Sequence, residues 1–265
     1  MAKVNGALIL FFVLLSSIFT GCLADEDIAS SPVTLIVYYE KTSGTLYENW
    51  TNGQRISQTG VELTFDFART TTTEGEMKKF SLTPGDGSAP VEIDASQSAS
   101  LTYEYLTHGL FIAILSAEDS EGNFADMSIT IRIDTFMHWV EQNSDNPESM
   151  ILNTIPDCEN CEGPTLISID SQVSNPESLI PATGGTTTIT WNLNNPDDET
   201  TATKTEPIAD GQTKLWEHDQ LGVTLGTWAL EVVIESGEDN INITHDVSIR
   251  YEEKESEAHP IDLPQ

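Results

Sequence analysis

The run Val61-Glu-Leu-Thr-Phe-Asp-Phe67 alternates without a break: Val61, Leu63, Phe65 and Phe67 fall on one side, Glu62, Thr64 and Asp66 on the other. Successive side chains of a strand point to opposite faces, so this period of two describes a strand with one buried face. Similar runs follow one another through the first half, at Val33–Tyr39, Met77–Leu82, Ser100–Leu106, Gly109–Glu118 and Met127–Ile133. Turn residues separate them, notably Pro84-Gly-Asp-Gly-Ser88 and Asp119-Ser-Glu-Gly-Asn123. No stretch here carries the 3.6-residue period of an amphipathic helix. Short strands at this spacing, over roughly a hundred residues, predict a β-sandwich.

The second half repeats the texture from Thr165 onward. Its runs are LISIDSQV, TTTITWNL, ATKTEPI, TKLWEH, TWALEVVIE and INITHDVSIRY, punctuated by Asn175-Pro176 and Asn195-Pro196. Between the halves, FMHWVEQ and SMILNTI flank the NSDNPE turn. A structureless loop of that length is uncommon in a compact domain, so a hairpin is expected there. The expected fold class is all-β: two tandem Ig-like sandwiches, residues 33–135 and 136–253, with an acidic tail at 254–265 that frays.

The first sandwich resembles a polycystic-kidney-disease-type (PKD) domain. The residues that carry the likeness are Phe80-Ser-Leu-Thr-Pro-Gly85-Asp86-Gly87, Tyr103-Glu-Tyr105, Gly109-Leu-Phe111 and Glu118-Asp119-Ser-Glu-Gly122-Asn123. The resemblance implies an Ig-like spacer or adhesion module with no catalytic residues to carry over. Gly87 and Gly122 suit the positive φ of tight turns.

The N-terminus addresses the chain. Lys3 is the only charge before Asp25, and Ala7 to Phe19 is almost wholly apolar, the form of an export signal shorter than a comfortable membrane span. Phe19-Thr20-Gly21-Cys22 resembles the lipobox of prokaryotic lipoproteins. The likeness implies cleavage after residue 21, lipid on Cys22 and a tether at 22–32. The chain is then expected outside the cell, held to the outer face of its membrane or envelope by a lipid anchor.

Composition removes one class of partner. The 11 Lys and Arg face 43 Asp and Glu, a net charge of -32. Phosphate backbones need clustered bases, so nucleic acid is excluded. Such self-repulsion is relieved by salt, which suggests a marine or halophilic habitat, or bound divalent cations. Cys158 and Cys161, in PDCENCEG, are read as a disulfide in an exported chain; a metal site and a redox pair are the alternatives.

No GxSxG, HExxH, P-loop or GxGxxG is present, and the five histidines are scattered, so no enzyme and no cofactor are expected. Calcium is the better chemical candidate, with Asp119, Glu121 and Asn123 alternating through one turn and further carboxylates at Asp197-Asp198-Glu199 and Glu238-Asp239-Asn240. Asn49-Trp-Thr and Asn242-Ile-Thr are glycosylation sequons. Trp50, Trp139, Trp216 and Trp228 are either core residues or a sugar-binding surface. The function expected is a lipid-anchored, non-enzymatic surface protein presenting a face to protein or glycan. The alternatives are a passive envelope spacer that binds only cations, and an accessory subunit of a surface hydrolase or transporter.

Overall fold

The computed structural model describes residues 31–158, 161–178 and 184–261; the leader and Cys22 lie outside them. Every regular element among the described residues is a strand, so the all-β expectation holds. In chain order, β1 (Val33–Thr34), β2 (Ser43–Thr51), β3 (Gln54–Thr59), β4 (Val61–Asp66) and β5 (Thr71–Thr72) come first. Then come β6 (Met77–Thr83), β7 (Val91–Asp94), β8 (Ser100–Tyr105), β9 (Gly109–Asp119) and β10 (Phe124–Ser144). β11 (Met150–Asn153), β12 (Leu166–Ser174), β13 (Thr186–Asn194), β14 (Thr200–Ala209), β15 (Thr213–Leu221), β16 (Thr227–Ser236) and β17 (Ile241–Arg250) complete the set.

β10 organises the molecule. At about 3.3 Å per residue, a strand of 21 residues spans roughly 70 Å. FMHWVEQ is the continuation of MSITIRI, so the boundary placed at residue 135 falls inside one unbroken strand. Ile133 and the residues before it pair with β9, and Thr135 onward pairs with β17. Arg132 is in register with both Leu110 of β9 and Ser43 of β2, and Thr135 with both Ile249 of β17 and Leu46 of β2. A residue's two ladder partners lie on opposite flanks. β9 and β17 therefore follow one another along one flank of β10, and the parallel β2 occupies the other. The resulting nine-stranded sheet runs β15-β12-β17-β10-β9-β6-β7, with β2 attached at β10 and β3 attached at β2.

The hairpin expected across NSDNPE does not form. β11 leaves the shared sheet and pairs with β16 in the four-stranded sheet β11-β16-β13-β14. Alternation shows that SMILN is a strand but not which neighbour completes its ladder, and here the neighbour is Thr227–Leu230, far along the chain. The N-terminal run Val33–Tyr39 is likewise less regular than expected, with β1 followed by isolated bridges at Tyr38 and Tyr39.

From Ile129 to Glu141 every odd residue of β10 is buried. Ile129, Ile131 and Ile133 enter one hydrophobic core, with Leu63 and Phe65 of β4 and Leu101 and Tyr105 of β8. Met137 and Trp139 enter a second core, with Leu152, Trp191, Trp228 and Leu230. Fully burying an aliphatic or aromatic side chain of this kind contributes about 1.5–3 kcal/mol. Because all these residues have the same parity, the β4–β8 pair and the four-stranded sheet cover the same face of β10. Thr135 stands between the two cores.

The described residues after β17, up to Ile261, are tied to the body of the molecule. Arg132 makes a paired contact with Glu255, Ser256 N donates to Thr130 O at 3.0 Å, and His259 bridges Tyr39 in both directions. Thr42 also donates its hydroxyl to Ser256 O. Arg132 lies on the even, outward-facing parity of β10, and its two acidic partners, Asp134 and Glu255, account for the docking of a segment that otherwise reads as solvated. Residues from Pro32 onward form a single compact unit.

Candidate functional site

The gap between the two covering sheets is a cleft of about 580 Å³ whose floor is the shared sheet. Leu46, Thr135 and Ile249 are register partners across β2, β10 and β17 and form the floor, with Met137 two residues further along β10. Leu106, Thr107 and His108, the turn into β9, form one wall, and Ile151 to Asp157 form the other. An annex of about 110 Å³ continues past Trp50 and Met137 to Trp139, Glu148 and Gly53.

Trp50 stands at the end of the cleft. Its ring stacks on Trp139, centroids 6.0 Å apart, because β2 and β10 place the two at the same register. Glu48, two residues back on the same face, accepts from Trp50 Nε1 at 3.0 Å and from Arg55 Nη1 at 2.7 Å. The Arg55 guanidinium lies 5.9 Å from the Trp50 ring centroid. Arg55 belongs to β3, which pairs with β2, and its side chain is 46% exposed.

The mouth is apolar. Leu106, Ile151 and Ile155 all line the cleft and are 50%, 55% and 53% exposed. Gln58 Nε2 ties Leu106 O to β3 at 2.8 Å. On the opposite lip, buried Thr154 donates to Thr224 O and Gly226 O, which fixes the chain between Ile151 and Ile155. Asp157 leads into the Cys158–Cys161 disulfide, whose Cα atoms are 5.8 Å apart, and Cys158 packs against the first core. The disulfide expected from the sequence thus pins one lip of the cleft.

His108 joins the pieces. Its Nδ1 lies 2.7 Å from the Tyr251 hydroxyl, at the point where β9 gives way to β17. Burial pushes its pKa below the usual histidine value, against an opposing hydrogen bond to the Asn153 backbone and the nearby carboxylates of Glu48 and Asp157. A neutral ring accepting from Tyr251 fits this geometry. Both carboxylates therefore act on the same part of the cleft. Asp157 makes no ion pair among the described residues. Thr107 and Thr135 of the cleft and Trp139 of the annex each carry a buried polar atom without a hydrogen-bond partner among the described residues.

The remaining sequence candidates lie elsewhere. Asp119 is buried, and its carboxylate accepts from the backbone of Glu121 and Asn123, the Asn123 amide and the Thr72 hydroxyl. Burial raises its pKa, and these hydrogen bonds outweigh burial and lower it. The turn Asp119–Asn123 is thus held by the oxygens that calcium would need. Among the described residues, no group of three His, Cys, Asp or Glu is placed to hold a metal ion. Asp239 similarly accepts from Gly185 N and Asn175 Nδ2. Asn49 is exposed on β2 and donates to Ser57 Oγ at 2.9 Å, and Asn242 on β17 accepts from Asn143 N.

Of the four tryptophans considered as a sugar-binding surface, Trp139, Trp216 and Trp228 are buried in the second core, and Trp50 alone is not. The turn Pro84–Ser88 is clasped by Tyr105, which donates to Pro84 O, and by Tyr103, which donates to Asp86 at 2.7 Å. Gly85 has φ of 83°, and an added Cβ would lie 2.4 Å from Ile112 O, which excludes a side chain there.

Sequence reasoning singled out Trp50 and the Cys158–Cys161 loop but not the cleft. Leu106, Ile151 and Ile155 read as strand-end apolar residues, and nothing local marks them as neighbours.

No family model matches the chain, and no curated protein matches it. Among solved structures, it is similar to a carbohydrate-binding module of the β-sandwich superfamily at 12% identity, covering 83% of this chain and 97% of that one, with a TM-score of 0.30. A carbohydrate-binding module with GlcNAc bound, from Clostridium perfringens ZmpB, shows 10% identity over 82% of this chain and 48% of that one, TM-score 0.25. Bacteroides uniformis beta-glucuronidase 2 shows 9% identity over 82% of this chain and 30% of the enzyme, TM-score 0.27. TM-scores this low carry no functional argument.

Proposed function

We propose that this chain is a non-catalytic binding module whose interaction face is the cleft above Thr135. The observation that carries the reading is the clustering of Leu106, Ile151 and Ile155, each about half exposed, at the mouth of a cleft that also presents Trp50 and a charged pair. Scattered exposed aliphatics are ordinary, but several gathered around one concavity mark a surface that is covered when a partner binds. In this reading the export signal and lipid on Cys22 hold the module at the outer membrane face, where a protein segment or a glycan reaches the cleft.

The test is capture of partners from envelope extract and from an oligosaccharide panel by the full chain and by an Ile151→Asp variant. Saturable binding that is lost in the variant supports the reading. Equal capture by both moves the interaction face elsewhere, and no saturable binding by either favours a passive spacer. Intact mass of the native protein tests the anchor: an unlipidated full-length species removes it.

A further inference from the structure

Resting on that reading of the cleft, we infer that its ligand is a basic segment of a partner protein, presenting an Arg or Lys flanked by apolar side chains. Charge is the first argument. The cleft and its annex are lined by Glu48, Asp157 and Glu148, and Arg55 is the lining Lys or Arg. Arg55 is already matched by Glu48, which leaves Asp157 at the lip with no ion-pair partner among the described residues. With a net charge of -32 on the whole chain, the field draws a cation toward this site and repels an anion.

The second argument is that the site already accommodates a guanidinium. Trp50 and Glu48 hold that of Arg55 at 5.9 Å and 2.7 Å, an indole face and a carboxylate acting together. Glu48 and Asp157 both line this cleft, so an incoming cation meets a carboxylate that has no ion-pair partner among the described residues. The third argument is the mouth. Leu106, Ile151 and Ile155 offer apolar contact and no hydrogen-bonding side chain. Apolar neighbours of a basic residue would cover that surface while the basic group meets the exposed Asp157.

The experiment is selection from a random peptide library on the full chain at about 0.5 M salt, where diffuse attraction is screened to a few ångströms. Asp157→Asn and Ile151→Asp variants are run alongside, with an oligosaccharide panel. Both substituted positions are exposed, so neither variant opens the core, and a thermal melt of each checks that it is folded. The expected result is enrichment of sequences with Arg or Lys beside Leu, Ile, Val or Phe. These peptides should bind Asp157→Asn at least tenfold more weakly, although that variant changes one charge among dozens.

Basic peptides that bind Asp157→Asn as well as the parent overturn the inference, as do enriched peptides without a basic residue. An oligosaccharide bound by the parent and lost in Ile151→Asp also overturns it, and leaves the cleft as the binding face. No enrichment and no sugar binding overturn both the inference and the reading on which it rests.

Discussion

His245 provides a direct test of how the second core is assembled. It is 1% exposed on β17, and its Nδ1 lies 2.8 Å from Ser171 Oγ, which in turn accepts from Trp191 Nε1 at 2.7 Å. Ser171 has one proton to give, so the chain of bonds runs from Trp191 to Ser171 to a neutral imidazole. Burial lowers the His245 pKa from 6.5 to about 3. Between those values the unfolded chain takes up a proton that the folded chain refuses, so stability falls as pH drops. From pH 7 to about pH 4.5 this one residue should remove about 2–3 kcal/mol.

A His245→Asn variant keeps a side-chain acceptor near Ser171 but cannot titrate. Denaturant unfolding of both proteins across that range isolates the effect, because every other group is common to both. The wild type should lose about 2–3 kcal/mol relative to the variant, or roughly 5–10 °C in Tm for a domain of this size. Stability curves that stay parallel from pH 7 to 4.5 would refute the buried neutral imidazole.

Thr135→Val removes a buried hydroxyl that has no partner among the described residues while keeping its shape; thermal unfolding should show it stabilised by about 1 kcal/mol, or 2–4 °C. Glu255→Gln breaks the strap to Arg132, whose guanidinium holds the Glu255 carboxyl down at about 2. That contribution is present above the ordinary glutamate range and lost as pH falls toward 2. The variant's Tm deficit should therefore be full at pH 7 and vanish in acid. Replacing Cys158 and Cys161 with Ser opens a short loop that contributes about 2 kcal/mol by chain entropy, which a lowered denaturation midpoint should show. Millimolar calcium at fixed ionic strength should leave the Tm unchanged, since the Asp119 oxygens already accept four donors.

Local structure is legible in the sequence. The alternation in Val61–Phe67 and Met127–Ile133 gives strands and says which side chains turn inward, because a strand's two faces are set by parity alone. The spacing of Cys158 and Cys161 is enough to make their disulfide reachable, since residues three apart are held near each other by the chain itself. Tertiary structure decided what parity leaves open, namely which strand lies beside which. FMHWVEQ continues β10, and SMILN crosses to β16, because ladder partners are chosen by long-range packing of whole faces. The acidic segment around Glu255 docks because Arg132, 123 residues upstream, offers Glu255 a paired cation. The cleft has the same origin. Two covering sheets meet one face of β10 and leave a gap over Thr135, and only that meeting brings Glu48, Leu106, Ile151 and Asp157 together.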